Sequence, residues 1–469
     1  MAAASDANVI HIIHFNDVYN INPIIKKDAS GAVTNVIGGA ARFQTFINTL
    51  SPLKPLILFS GDFLSPSDIS TVTKGEHMVP IMNGVGITCA MIGNHDLDYG
   101  NKHCIEMLAK LKYPVLNTNI MTPSNEVATG DLTVDSKLEL QPLGKCMTSY
   151  IHKYNDNCNV GILGISENWS ETLPILPENG VVYLDFIQEC QKRVDELKNN
   201  KDNKIDLMIV LTHSRLLNDQ LLASKITGVD LICGGHDHMY FCGMHDDTKT
   251  MIVKSGTDFK NVSWLQVQLN SDGDQIQTCQ QAQKIEQELS KSLNEKKGAF
   301  KGPRYTFLNR YYNIDINLKA DQVTEKLVHD LSAAFQQQMG QTIGYLAAPI
   351  DCRFSTVRSQ ESTAGNFVAD VIRRAYRCDV VFLCGGALRA DRILPAGKFT
   401  YKDILDLVPF QDSIVVIKMK GSSIIKVLEH GVSGVPKADG KFPQISGLRF
   451  LYDPAQPIGQ RVKKVWIER

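Results

Sequence analysis

The residues best able to do chemistry lie in five short polar clusters, each placed directly after an apolar run. They are Asn16-Asp17, Ser60-Gly61-Asp62, Gly93-Asn94-His95-Asp96-Leu97-Asp98, Thr212-His213-Ser214 and Gly234-Gly235-His236-Asp237-His238. Carboxylate oxygen mixed with imidazole nitrogen is a donor set for divalent cations such as Mn²⁺, Zn²⁺, Fe²⁺ or Co²⁺. Taken singly, each cluster has a plain structural reading. An aspartate after a strand ordinarily forms a turn or caps a helix, and an isolated His213 is ordinarily a core or surface residue. Asp96 and Asp237 read as loop caps, Gly61, Gly93, Gly234 and Gly235 as turn glycines permitting positive φ, and His11 and His14 as structural residues inside a strand. The joint pattern carries the metal reading.

The runs before these clusters must bring them together. Val9–Phe15, Pro55–Phe59, Thr88–Ile92, Val160–Ile165, Leu207–Leu211 and Leu231–Cys233 are short, apolar and β-branched, and so are expected to be strands. Helical patterns alternate with them at Gly39–Leu50, Lys102–Leu111 and Asp185–Asn199, which predicts an α/β layered architecture. In open α/β sheets ligands gather beyond the carboxyl ends of the strands, where these clusters fall. Thr250–Leu269 reads as hairpin strands punctuated by Gly256, and Gln280–Lys297 as a solvated helix or loop. Asp321–Met339 reads as a helix stopped at Gly340, with the domain boundary near it. Beyond it, Ile343–Ile350, Val380–Leu383 and Ile414–Met419 are expected strands, and Ala364–Tyr376 and Ser422–Gly431 expected helices.

Composition narrows the class. The 469 residues, 43% hydrophobic and 21% charged, suffice for two or three globular domains. Forty-nine basic residues against fifty acidic ones argue against a general binder of nucleic acid or anionic membrane. No apolar run approaches the ~20 residues of a membrane span, and Met1–Ala7 has no secretory pattern. Eleven cysteines without repeated spacing suggest reduced thiols. A cytoplasmic protein is the expectation, with no nucleic-acid or membrane partner; oligomeric state is open.

The order of the clusters resembles the calcineurin-like metallophosphoesterases, and among them the 5′-nucleotidase family, over nearly the whole chain. That resemblance implies a catalytic domain of two sheets flanked by helices over residues 1–318, a linker helix over 319–342, and a smaller α/β nucleotide-binding domain over 343–469. It implies two divalent cations roughly 3.5–4 Å apart, bridged by Asp62. One would be completed by Asp17 and His238, the other by Asn94, His213 and His236. His95 would stabilise developing charge or assist the leaving alkoxide, and Asp98 would fix its tautomer. The implied reaction is hydrolysis of a nucleoside 5′-monophosphate to nucleoside and phosphate. The alternatives are a 2′,3′-cyclic phosphodiesterase/3′-nucleotidase, a nucleotide-sugar pyrophosphatase, or a catalytically silent nucleotide-binding protein.

In the second half, Ser359-Gln360-Glu361-Ser362-Thr363-Ala364-Gly365-Asn366 looks like the family's entry into its nucleotide-binding domain. Cys384-Gly385-Gly386-Ala387-Leu388-Arg389 and Val408-Pro409-Phe410 are similar to two further family elements. The resemblance assigns substrate contact to Arg358, Asn366, Arg389 and Phe410. Forked guanidinium groups suit anionic groups, and an aromatic face suits a base. Members of the family rotate one domain against the other, which makes the linker helix a candidate hinge. Three features depart from the family. Its usual Asn-Asp-x-His reads Asn16-Asp17-Val18-Tyr19 here, so that Tyr19 coordinates, water replaces the ligand, or the first site is weak. Cys384 stands where an Asn is common. A Gly-Gly-Asp-Gly-Phe-like element is not reached before Arg469, so the C-terminal domain is truncated or its base clamp is one-sided.

Overall fold

The computed structural model describes residues 9–28, 30–124, 139–156, 158–169, 181–200, 202–269, 276, 278–409 and 414–467. Among them the chain divides into two units, residues 1–332 and 333–469. The division falls inside one helix, Gln322–Met339.

In the first unit the apolar runs become two sheets. One has seven strands, in the order Glu295–Lys301, Tyr305–Asn313, Asn261–Leu269, Val9–Phe15, Leu56–Ser60, Cys89–Met91, Val115–Leu116. The other has six, in the order Tyr240–Met244, Met251–Ser255, Leu231–Gly234, Leu207–His213, Cys158–Ser166, Ser149–Asn155. Val9–Phe15, Leu56–Ser60 and Cys89–Met91 run parallel, as do Cys158–Ser166, Leu207–His213, Leu231–Gly234 and Met251–Ser255. Parallel strands bury both faces and therefore read as continuous apolar runs. Between the sheets lies one core, to which Ile10, Ile12, Leu56 and Leu58 contribute from the first sheet and Ile162, Ile209, Leu211 and Val253 from the second. Helices Phe186–Asn199 and Leu216–Lys225 cover the outer face of the second sheet through Cys190, Val194 and Leu222. Helix Ala40–Leu50 lays Phe43 against Phe15 and Phe46 against Tyr312.

Two expectations need correction. Met251–Ser255 and Asn261–Leu269 are both strands, but they are not a hairpin, for each pairs in a different sheet. At Gly256, with φ of +88°, the chain crosses from one sheet to the other, and a Cβ there would lie 2.4 Å from Asn261 Oδ1. Ile414–Met419 is not a strand: residues 414–420 have no regular structure, and Val415 and Ile417 are exposed. Strand propensity expresses itself only against a neighbouring strand, and none pairs with this run among the described residues.

The second unit is a smaller assembly of helices and short strand pairs. Val381–Cys384 pairs with Pro443–Ser446, and Leu448–Tyr452 with Val462–Ile467. Helix Thr363–Tyr376 is capped by the Ser362 hydroxyl, which accepts from the Gly365 amide. Its core gathers Val357, Leu388, Leu394, Phe399 and Leu407. No helix among the described residues is long and apolar enough to cross a membrane.

One buried residue between the sheets sets a pH dependence. His14 stands with Nδ1 2.7 Å from Ser255 Oγ and Nε2 2.9 Å from Ser60 Oγ. Burial, and then the charge of Lys254, pull it down to about 3. The unfolded chain binds this proton below its ordinary value of 6.5, whereas the folded chain refuses it until about pH 3. The stabilisation is therefore complete above 6.5 and drains away as pH falls, by about 1.4 kcal/mol per pH unit. With metal chelated at every pH, denaturant titrations of His14→Gln should show a shallower loss of stability below neutrality than the parent. An identical slope would remove His14 as a cause.

Candidate metal centre

All five polar clusters reach the same rim, where the parallel strands of both sheets end. Asn16 fixes the first turn: its Nδ2 donates to Asp17 Oδ2 (2.5 Å) and to Gly256 O (2.7 Å), and its Oδ1 accepts from the Ser255 amide (3.0 Å). Asp17, Asp62, His236 and His238 all have left-handed backbone, with φ of 53°, 65°, 80° and 55°. Such conformations cost about 1–3 kcal/mol each in non-glycine residues, and persist where the surroundings over-determine them. Gly61 also needs its positive φ (+85°). Gly93 does not. It is required by space instead, since a Cβ there would lie 2.0 Å from Asp62 Oδ1.

The donor atoms form two groups sharing one carboxylate oxygen. Asp62 Oδ2 is 3.1 Å from the Tyr19 hydroxyl and 3.2 Å from His213 Nε2. On one side, His238 Nε2 lies 3.1 Å from Asp17 Oδ1. On the other, Asn94 Oδ1 lies 3.1 Å from both His213 Nε2 and His236 Nδ1. Ligand atoms of Asp17, Asp62 and His213 lie within 4.8 Å of one another, and all three residues are buried. Charged oxygen and imidazole nitrogen this close, inside protein, fit divalent cations.

His95 lies beside this group with its Nδ1 2.9 Å from Asp98 Oδ2, while its backbone amide donates to Asp62 Oδ1 at 2.8 Å. Burial works against its protonation, but the hydrogen bond to Asp98 and the charges of Asp62 and Asp98 raise it to about 9. Burial would likewise raise Asp62, yet the imidazoles of His213 and His95 hold it at about 2. Tyr19 is pushed well above the ordinary phenol by burial and then by the charges of Asp62 and Asp17.

Asp96 and Asp237 do act as loop caps. Asp96 accepts from the amides of Phe63 (2.8 Å), Leu64 (3.0 Å) and Gly93 (2.8 Å), and Asp237 from the Leu216 amide (2.7 Å). Sequence reasoning missed Lys254. Its buried ammonium donates to Ser214 O (2.7 Å) and Gly235 O (2.6 Å), the carbonyls flanking His213 and His236. Its charge meets Asp219 (2.8 Å) and Asp237 (2.9 Å). The available signal was the lysine directly after the apolar run Met251-Ile252-Val253. Glu167 was missed as well; it lies 3.7 Å from His236 Nε2, pairs with Arg215 and accepts from Asn218.

In the second unit Arg358 and Arg389 both stand over the ring of Phe354, at 4.1 Å and 5.4 Å from its centroid. Asn366 Nδ2 donates to Glu361 Oε1 (2.7 Å). Phe410 lies outside the described residues.

The family model for calcineurin-like phosphoesterases matches residues 10–240, the stretch that carries every candidate metal ligand named above. That makes the N-terminal unit a metallophosphoesterase domain. The model for the 5′-nucleotidase C-terminal domain matches residues 338–469, and the chain thus belongs to the 5′-nucleotidase family of these enzymes. It is 29% identical to the 5′-nucleotidase of Bos taurus over 97% of this chain and 77% of that one, and 28% identical to that of Homo sapiens over 98% and 78%. Among solved structures it resembles the NAD nucleotidase of Haemophilus influenzae, with a TM-score of 0.61, 19% identity, and coverage of 98% of this chain and 85% of that one. The likeness in fold covers both halves of the chain.

Proposed function

We propose that this hydrolase cleaves nucleoside 5′-monophosphates to nucleoside and inorganic phosphate, using two divalent cations drawn from Mn²⁺, Zn²⁺, Co²⁺ and Fe²⁺. The observation that carries the reading is the position of Asp62 Oδ2, which faces Tyr19 and His213 at once and so joins two donor groups. Asp17, Asp62 and His238 would hold one cation; Asp62, Asn94, His213 and His236 would hold the other. When bound, such a pair supplies a water acidic enough to ionise near neutrality and neutralises charge on the phosphoryl oxygens.

His95 supplies what the ligands do not. Its Nδ1 faces Asp98, so its Nε2 is left for substrate, and its side chain is 36% exposed. Placed there, it donates a hydrogen bond to a phosphoryl oxygen or a proton to the departing alkoxide. His95→Asn should lower kcat roughly 10²–10⁴-fold while leaving metal content unchanged, read by metal analysis of the same sample. A joint loss of both would make His95 structural. In the C-terminal unit, paired Arg358 and Arg389 suit anionic or polar nucleotide groups, with Asn366 and Phe410 as further contacts to the nucleoside.

The test is product analysis with AMP, a 2′,3′-cyclic nucleotide and a nucleotide sugar, with Mn²⁺, Co²⁺ or Zn²⁺ supplied. Adenosine and phosphate from AMP are expected as the fastest products. Faster turnover of either other substrate, or binding without hydrolysis of any, would overturn the reading.

A further inference from the structure

Tyr19 occupies the place in the first motif where the family's imidazole would stand, and its surroundings restrict what its oxygen does there. The phenol oxygen lies 3.0 Å from Asp17 Oδ1, 3.1 Å from Asp62 Oδ2 and 2.8 Å from His238 Nε2. A phenol has one proton. It can satisfy one of the two carboxylates, and its lone pairs then face the oxygen of the other at hydrogen-bond distance, inside a pocket where Asp17 is 0% and Asp62 1% exposed. With His238 neutral, as a metal ligand must be, three oxygens and one nitrogen in such a place call for a positive charge between them.

The spacing agrees. Donor atoms bound at ~2.0–2.2 Å to one cation are forced to neighbour each other at roughly 3 Å. Tyr19 O, Asp17 Oδ1 and His238 Nε2 form a triangle with sides of 3.0, 2.8 and 3.1 Å. The ring is held from moving away: the Tyr19 amide donates to Asp258 Oδ1 (3.1 Å), the Val18 amide to Asp62 O (2.9 Å), and the side chain is buried edge-on to His238.

We propose that Tyr19 is itself a ligand of the first cation, and that it makes the two positions unlike: an oxygen-rich one (Asp17, Tyr19, Asp62, with His238) that prefers Mn²⁺, beside an imidazole-rich one (His213, His236, with Asn94 and Asp62) that prefers Zn²⁺. Oxygen donors suit Mn²⁺ and imidazole suits Zn²⁺, so the chain selects a mixed pair. The inference rests on the two-cation reading above, but it is read from metal content rather than from hydrolysis.

The full-length chain is stripped of metal, dialysed against equimolar Mn²⁺ and Zn²⁺, and analysed by mass spectrometry. One equivalent of each is expected. Tyr19→His should exchange the manganese for a second zinc, and Tyr19→Phe should lose the manganese and keep the zinc. An unchanged metal ratio in folded Tyr19→Phe would overturn the proposal. So would a parent chain that holds a single equivalent, because the phenol would then be filling the position in place of a cation. A readout that needs no variant is the ultraviolet difference spectrum of the metal-free parent. Added Mn²⁺ should perturb a tyrosine band, and the absence of any change sinks the ligand assignment. A chain that passes these tests yet hydrolyses no nucleotide would leave this inference standing and remove the function proposed above.

Discussion

Asp62→Asn should abolish activity while leaving a folded protein. The residue has a left-handed backbone, with φ of 65°, which asparagine tolerates at least as well as aspartate, so the turn should survive. What disappears is the negative charge on the one oxygen that faces both donor groups. Loss of a member shared by the whole constellation should lower kcat by roughly 10⁴-fold or more, as when residues acting as a unit are broken. The discriminating readout is thermal stability with and without metal. Binding to the native state alone raises stability by about 2.7 kcal/mol at a hundredfold excess over Kd. The parent's melting temperature should rise with added Mn²⁺ or Zn²⁺, and that of Asp62→Asn should hardly respond. A variant that keeps the full metal response would show that Asp62 does not join the two positions.

Lys254→Met is expected to be the most damaging substitution outside the donor set. Its ammonium is 1% exposed and faces four oxygens, two of them carbonyls beside His213 and His236. Removing one partner of a buried ion pair costs about 3–5 kcal/mol, because the other charge stays behind without compensation. Here the stranded group is Asp219, which is 0% exposed. The turns bearing His213 and His236 also lose their common anchor, so metal affinity should fall, by the ~10–100-fold typical of a lost supporting partner. Calorimetric titration of the metal-free chain measures this directly. Adding Asp219→Asn to Lys254→Met should restore part of the stability and little of the metal affinity. Stability restored together with affinity would mean that the clamp acts only through general folding.

Much of the architecture was legible because parallel strands buried on both faces write themselves as unbroken apolar runs. Val9–Phe15 is a strand over the length its residues suggest, and the polar residues that close such runs stand at one rim. What stayed hidden depended on partners distant in sequence. Gly256 reads as a hairpin turn from its neighbours alone; only pairing of Val9–Phe15 with Asn261–Leu269 reveals that the chain changes sheets there. Ile414–Met419 has the composition of a strand without a neighbour to make it one. Lys254 was invisible as a clamp because its four oxygens come from residues 214, 219, 235 and 237. Tyr19 stands out as a departure from a motif, but whether its oxygen meets one acceptor or several depends on how Asp17, Asp62 and His238 fold around it.

The pairing of Val9–Phe15 with Asn261–Leu269 also bears on synthesis. Val9 lies opposite Gln268, roughly 260 residues downstream, and at ~5–20 residues per second a ribosome needs about 13–50 s to deliver that partner. Throughout that interval a seven-residue apolar segment has one edge without its final neighbour, the condition under which nascent chains aggregate or recruit chaperones. Early stalling or truncation upstream of residue 261 would release a polypeptide whose leading strand stays permanently open on that side.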